Sequence, residues 1–596
     1  MRDTAFVPGT SPRRERGARL LVGVAGFLLA SMAAADPPVE ALPAVTLPPP
    51  PSNTASAAPR AAALAACPAP GSEPEQWQGQ RQWIALEEAG YIIGNIGVAV
   101  DGVFDLGNPS EDTWYGQTAD ALHINTHPQV IRDQLLFQSG QPVTARLIYE
   151  SVRRLRALSF LRYADIVPTG CHGRSVDLEV HVKDAWTLKL DLRFAHVGGQ
   201  SSFGASFEDV DFLGTGKTLA VSHKTDTQRT SNQISYQDPA VLGGRWTGAA
   251  TYAHLSDGYI RSLDLGLPFY EDQTEWSFFM HYLNQLQNLS LYNLSVVAWR
   301  VPDKQQRLEF DWMKLLSWQG DTGMRAGVSY IDQEYTYGSL QSFPSATLVR
   351  PELDTRRFGG IAGSFESFQD RYASFTNMAL LGRTEDYNLG WDSTLQAGYN
   401  ANVFGSRTPG WFYSLNSSDG AAIGDHGLLL SSAAFQGRRE DGQDRNMLAD
   451  LVFTYYNQSF DHHTLVAHGE VDYSLRPDPE NLQYLGGLQG MPGYPNYFLI
   501  GDRRWQAHVS DRVATNTFLF NIFQVGYTVY MDAGQIREPY PVGWSRTLVD
   551  AGVGLRLGDI RSAYGGVIYV TYAWPLVKIR PGATSRQFVI GNIINF

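Results

Sequence analysis

The sequence predicts a mainly β fold: a transmembrane antiparallel β-barrel preceded by one small α/β domain. Three observations carry this reading. From Thr187 to Phe596, apolar and polar residues alternate with period two, in recurring segments separated by turn residues, the pattern of strands with one apolar and one polar face. Charged residues make up only 18% and aromatic residues 12%, with 58 glycines in 596 residues, a balance that suits turn-rich β structure and not a helical bundle or a disordered chain. The N-terminus reads as an export segment. No apolar run after it is long enough for a helical membrane span. With 47 basic and 60 acidic residues the net charge is −13, so nucleic acid is disfavoured as a partner.

The elements follow in order. Residues 1–35 are expected to be a signal peptide: Arg13, Arg14, Arg16 and Arg19 precede the apolar stretch Leu20 to Ala30, and Ala33-Ala34-Ala35 offers small residues for cleavage. Residues 36–84 read as a Pro/Ala-rich linker, because eleven prolines between 36 and 74 leave nothing to bury. Cys67 and Cys171 are the two cysteines. An even pair in an exported chain is compatible with a disulfide, and two independent thiols are the alternative. No Cys/His spacing suits zinc.

Residues 85–186 read as the small α/β domain. Tyr91 to Phe104 is rich in Ile, Val and Gly and predicts a strand. His127-Pro128 opens a helix with Ile131, Leu135 and Leu136 on its apolar face. Thr144 is the N-cap expected of a second helix, whose stripe is Ile148, Val152 and Leu155. Residues 163–167 and 176–182 predict two further strands. The order is strand–helix–helix–strand–strand.

Residues 187–596 are the barrel. Leu188, Leu190, Leu192 and Phe194 face one way, and Lys189, Asp191 and Arg193 the other; Leu308, Phe310 and Trp312 repeat the pattern. A soluble sandwich would bury the apolar face against a second sheet, whereas a barrel turns it to lipid. The export segment, aromatic clusters such as Trp276, Phe278 and Tyr282, and the final strand Gln587 to Phe596 favour the barrel. In that strand Phe588, Ile590, Ile594 and Phe596 share a face, which matches the C-terminal address of outer-membrane barrels.

Over residues 85–596 the chain resembles the BamA/TamA superfamily of outer-membrane proteins (the surface antigen family). The small domain looks like a POTRA module, and Val182-Lys183-Asp184-Ala185-Trp186-Thr187-Leu188 is similar to the family's junction between module and barrel. Asp211-Phe212-Leu213-Gly214-Thr215-Gly216, Tyr236-Gln237-Asp238-Pro239, Leu267-Pro268-Phe269 and Glu385-Asp386-Tyr387-Asn388-Leu389-Gly390 look like successive family landmarks. Leu485-Gly486-Gly487, then Gly490-Met491-Pro492-Gly493-Tyr494-Pro495, is similar to the family's loop that folds back into the lumen. In the family an arginine at the loop tip meets an acid in the barrel wall; here Pro492 takes the arginine's place, and Tyr530-Met531-Asp532-Ala533-Gly534 resembles the strand that supplies the acid. Asp532 is therefore expected to pair with Arg503 or Arg504, or the loop to be held by its backbone, unless the member has diverged in function. The resemblance implies sixteen strands, a bacterial outer-membrane location with the module in the periplasm, and a role in insertion or translocation of client polypeptides. Clients would be bound by strand addition to the module, beside periplasmic chaperones or accessory proteins, and outer-membrane lipid would surround the barrel. The seam where such barrels open would join the first strand, with Leu188, Leu190 and Leu192, to the last, with Ile590, Ile594 and Phe596.

Three other readings were weighed on the residues. A passive channel or structural barrel with a docking module is the alternative within the membrane, and a soluble adhesin the one outside it. Enzymatic chemistry finds no support. Gly214-Thr215-Gly216-Lys217-Thr218 lacks the first glycine of a phosphate loop, since position 211 is Asp and strand-like residues follow. No G-x-S-x-G elbow is present. Asp461-His462-His463 and the carboxylates Glu440, Asp441 and Asp444 read as turn and loop residues, not metal ligands. No cofactor is expected.

Overall fold

The computed structural model describes Cys67, residues 75–104 and 123–591 less short internal stretches, and a few residues between 113 and 118. Residues 1–35, expected to be a signal peptide, most of the stretch 36–84 read as a linker, Ile594 and Phe596 lie outside the described residues.

The small domain combines helix α1 (Glu75–Glu88), strand β1 (Ile92–Asp101), helix α2 (Pro128–Gln134), helix α3 (Ala145–Arg156) and strands β2 (Leu161–His172) and β3 (Ser175–Asp184). The sheet order is β1-β3-β2, with β1 parallel and β2 antiparallel to the central β3. Strict alternation in β3 buries Val176, Leu178, Val180 and Val182 under α3, whose Ile148 and Leu155 are fully buried while Val152 packs at the margin. The ordered unit begins earlier than residue 85. Helix α1 starts within the stretch read as linker, and its Trp83 and Leu86 enter the same core. Apolar side chains at i and i+3 supply the helical face that the preceding prolines obscure. Cys67 and Cys171 are joined in a disulfide that spans 104 residues of sequence and fastens the segment ahead of α1 to β2.

From Leu188 onward the chain is a closed antiparallel barrel. Twenty-two strand segments enter the ring, of which Gln341–Ser342 and Val542–Trp544 are short side pieces whose flanking strands also pair with each other. Twenty full staves remain, instead of sixteen. The reason lies in the connections. The first six staves are only eight to ten residues long, and two-residue turns such as Leu294-Ser295 and Asp441-Gly442 join many of the others. Residues that long loops would have taken instead form strands. The wall is uneven: the stave Val296–Gln319 has 24 residues, well above the roughly 9–11 that cross a bilayer, and the last stave is described over Gln587–Gly591.

Period two sorts the faces as the sequence predicts. Leu188, Ile234, Trp312, Val328, Val529 and Val553 are exposed on the outer wall, and Arg325, His508, Asp532 and Asp550 are buried on the inner one. An apolar exterior around a polar lumen is the transmembrane arrangement, because lipid offers no hydrogen bonds and the closed ladder satisfies the backbone internally. Arg325 shows how a charge is kept inside: its guanidinium lies between the rings of Phe269 and Phe368, at 3.8 and 3.9 Å, and reaches Glu366 at 3.2 Å.

The small domain is docked against the rim where the odd-numbered staves begin. Arg154 donates to the Tyr270 carbonyl, Arg245 to that of Leu135, and Arg146 approaches Glu271 at 3.4 Å. The centre of the junction is a buried hydroxyl, Thr126 Oγ1, which lies 2.8 Å from Asp184 Oδ1 and 2.7 Å from Asp211 Oδ2. One hydroxyl has one proton to give, so a second carboxylate is satisfied only if Asp211 is itself protonated and donates to Thr126. Burial raises the Asp211 carboxyl to about 7, against the opposing hydrogen bonds from Thr126 and the Gly216 amide. The junction should accordingly be firm below about pH 4 and weaken as pH rises through 7, because the raised folded-state pKa favours the proton-bound fold. Exchange-corrected hydrogen–deuterium protection of residues 123–127 should fall between pH 5.5 and 8, and Asp211→Asn should flatten that dependence; an unchanged profile in the variant would refute it. Cys171→Ala should weaken the small domain by about 4–5 kcal/mol, from the entropy of a loop of roughly 100 residues. The readout is earlier urea-induced loss of protection in β1–β3 with the barrel amides unaffected.

Candidate functional site: the barrel seam and two lumen insertions

The ring closes where the first stave, Leu188–Val197, meets the last. Among the described residues these two share one registered pair, His196 with Phe588. Full neighbours elsewhere share from five to eighteen. The last stave pairs at five positions with the stave before it, Ile590 lying opposite Val570. Leu188, Leu190 and Leu192 pair with the second stave, opposite Asp209, Phe207 and Ala205. The registered contact across the seam joins Phe588, already placed on the apolar face of the last strand, to His196, which the alternation did not single out. Pairing register depends on which residue starts the last stave, and alternation alone does not reveal it.

The loop between the staves His463–Leu475 and Arg503–Leu519 folds into the lumen from the far rim. Its two arms pair as Gln483–Leu485 with Leu499–Gly501. Leu485, Met491, Tyr494, Phe498 and Leu499 bury themselves against Ile536 and Leu548 of the wall. Pro492 is buried beside them and has no N–H to give. The next amide does the anchoring: Gly493 N donates to Asp550 Oδ2 at 2.5 Å. A Cβ at Gly493 would stand 2.6 Å from Asp550 Cβ, so this approach requires glycine, and Gly490 (φ 98°) is pressed against Gln506 in the same way. Tyr494 adds its hydroxyl, 2.9 Å from the carbonyls of Val549 and Val577. On the opposite wall Tyr497 stacks on Tyr292 at 4.4 Å, and Asp478 and Glu480 are gripped by Arg356 and Arg438. The loop thus contacts the wall on two opposite sides of the lumen.

Asp532 pairs with neither Arg503 nor Arg504. It meets His508, with Nδ1 2.6 Å from Oδ1. Register decides this: His508 lies opposite Asp532, whereas Arg504 lies opposite Ile536 and faces Asp472 on its other side. Arg504 binds Asp472 at 2.6 Å and Glu470 at 2.5 Å, and donates to the Tyr484 carbonyl at the base of the loop. Arg503 points the other way, with its guanidinium 4.6 Å over Tyr473. A row of polar groups results. Thr454, His468, His508, Asp532 and Asp550 stand side by side on consecutive staves, in register, and the row ends on the Gly493 amide. A cavity of about 220 Å³ is lined by His468, Glu470, Gly490, Gln506 and His508.

The second insertion was not legible in the sequence. Between the staves Arg356–Gln369 and Trp391–Asn400 a hairpin, Tyr372–Thr376 with Thr384–Asn388, enters from the small-domain rim. Glu385, read only as part of a landmark, folds its carboxylate back on the amides of Met378, Ala379 and Leu380 and accepts from Tyr387. Burial raises its pKa. The carbonyls on the other side of this turn accept from the buried wall arginines, Met378 O from Arg512 at 3.3 Å and Ala379 O from Arg556 at 2.9 Å. Met378 packs on Leu428, Tyr456 and Val466, and Leu381 on Ala514, Val567 and Tyr569. The hairpin root touches the small domain, where Arg153 of α3 lies 4.5 Å over the Tyr372 ring.

Gly493→Ala should lift the tip of the long loop. Met491, buried in the parent, would become accessible, so a Met491→Cys reporter should change from protected to maleimide-labelled in that background. Asp550→Ala should act in the same direction, with a loss of about 1–3 kcal/mol for the abandoned amide. Continued protection of the reporter in both would show that the anchor is dispensable.

No family model matches the chain, and no curated protein matches it. Among solved structures, CdiB from Escherichia coli superposes with a TM-score of 0.42 at 11% identity, over 83% of this chain and 76% of that one. BamA from Haemophilus ducreyi lacking POTRA domains 1–3 gives a TM-score of 0.38 at 13% identity, over 84% of each chain. CdiB from Acinetobacter baumannii gives 0.36 at 11% identity, over 84% of this chain and 73% of that one.

Proposed function

We propose that this protein is a bacterial outer-membrane barrel of the BamA/TamA kind that inserts or translocates client polypeptides, with its small domain a POTRA-type module in the periplasm. One observation carries the reading: two insertions, the hairpin Tyr372–Asn388 and the loop around Gly493, fold into the lumen from opposite rims, while the ring closes by pairing its last stave to its first. A barrel built for diffusion needs a clear lumen. A barrel built to open sideways would part where its two ends meet, and a freed strand edge there is a template for an incoming strand.

The small domain suits client capture. Its sheet has β2 at one margin, with no strand partner on the outer side among the described residues. Pro168 interrupts the donors of that edge, so an extended client would add along Leu161–Val167. The domain also touches the root of the lumen hairpin, so an occupied edge and the state of the plug are mechanically adjacent.

The test is to close the seam. Cysteines at His196 and Phe588, a directly opposed pair, should form a disulfide under oxidation. With the seam cross-linked, quantitative envelope proteomics should show depletion of outer-membrane or secreted clients, reversed by reductant, with the parent protein treated identically as control. A normal envelope with the seam fully cross-linked would overturn the reading. A large, steady conductance of the purified protein in planar bilayers would instead support the passive channel.

A further inference from the structure

A crease of about 540 Å³ lies on the outer wall, at the rim that carries the small domain. Its floor is built from three staves. Tyr236, Ala250 and Leu263 stand in one row, and Asp238, Gly248 and Leu265 in the next, in register across the ladder. Tyr236, Leu263 and Leu265 are exposed on the same outer face as the rest of the apolar wall. Gly248 and Ala250 run down the middle, and their lack of bulk makes a trough between larger neighbours.

Two elements close the rim end of the trough. The turn after Pro239 folds back on the wall, so that Val241 Cγ2 sits 3.2 Å from where a Cβ on Gly248 would be. Helix α2 contributes Val130, Asp133 and Gln134 from the other side. The polar groups are confined to this end: Lys217, 3.3 Å from Asp238, and the Asp133 carboxylate. The turn also presents Leu242, fully exposed and held at φ 54°, and the preceding rim turn presents Leu213 at φ 56°. A leucine in the left-handed region is strained, and neither side chain is repaid by burial within the protein.

We infer that this crease binds a glycerophospholipid of the leaflet on the small-domain side, with an acyl chain lying in the Gly248–Ala250 trough and a zwitterionic headgroup between Lys217 and Asp133. The trough is continuous with the lipid-facing wall, so lipid reaches it without crossing water. Its apolar floor and its paired opposite charges at one end match a chain topped by a phosphate and an amine. Leu242 and Leu213 enter the same leaflet beside it, which supplies the burial that their strained backbone lacks. The lipid would thus touch both α2 and the barrel, and would help hold the small domain to the rim.

The full-length protein, reconstituted in phosphatidylethanolamine nanodiscs containing a trace of the same lipid with a diazirine on an acyl carbon next to the glycerol ester, tests this. Photolabelling mapped by mass spectrometry should concentrate on Val130, Ala250 and Leu263, several-fold above outward residues on distant staves such as Val529. Ala250→Trp fills the trough and should abolish labelling of Val130 while leaving Val529 at its parent level, which also certifies that the variant is folded. Lys217→Glu should lower the labelling of Val130 without changing Val529. Labelling of Val130 no higher than the wall average, or undiminished in Ala250→Trp, would overturn the inference.

Discussion

The peptide group in lipid has nowhere else to turn. Water cannot complete its hydrogen bonds, so each stave must be paired on both sides, and a ring is the arrangement that leaves no side open. Everything else in this structure depends on that closure. The ladder is generous over most of the circumference, with eighteen registered pairs between the staves at Trp276–Asn293 and Val296–Gln319. The ring closes where His196 meets Phe588. Rupture within the ladder would expose unpaired amides to hydrocarbon at a cost of several kcal/mol each.

The lumen is organised so that the ring does not depend on the seam for its shape. Two insertions brace it from opposite ends. The far loop is braced by aromatic stacking at Tyr292 and Tyr497, by arginine–carboxylate contacts at Asp478 and Glu480, and by the Gly493 amide on Asp550. The hairpin at the other mouth is braced by Arg512 and Arg556 through peptide carbonyls. The two anchorages differ in kind. A buried arginine–acid pair has to offset the desolvation of two charges. A backbone amide on a carboxylate leaves one charge to satisfy, and that carboxylate stands beside Asp532 and, through it, His508. Pro492 has no N–H to give, and the contact is made by the backbone amide of the next residue, Gly493.

Three features of one rim meet at the small domain. Its α3 meets the hairpin root at Tyr372, its α2 borders the outer-wall crease, and Thr126 ties Asp184 of β3 to Asp211 of the first rim turn. A shift of the domain would act at once on the lumen hairpin, on the junction carboxyls and on the outer wall at that rim.

Period two determined much of this protein before any folding was considered. It separates Leu188, Trp312 and Val328 from Arg325 and Asp532, places lipid outside and polarity inside, and with the 3.6-residue stripe at Ile148 and Leu155 marks off a small α/β domain. The glycines at 490 and 493 were visible as features of a loop. What alternation cannot encode is which strand lies beside which and at what offset, because those are distances across the sheet between residues far apart in sequence. Twenty staves instead of sixteen, His508 and not an arginine opposite Asp532, and His196 opposite Phe588 are all matters of register. The hairpin at Tyr372 to Asn388 was hidden for a related reason: its strands are as short and polar as a surface turn, and only the arginines and apolar side chains of six distant staves make it a plug. Helix α1 was obscured by its prolines upstream, and became recognisable once Trp83 and Leu86 had a core to enter.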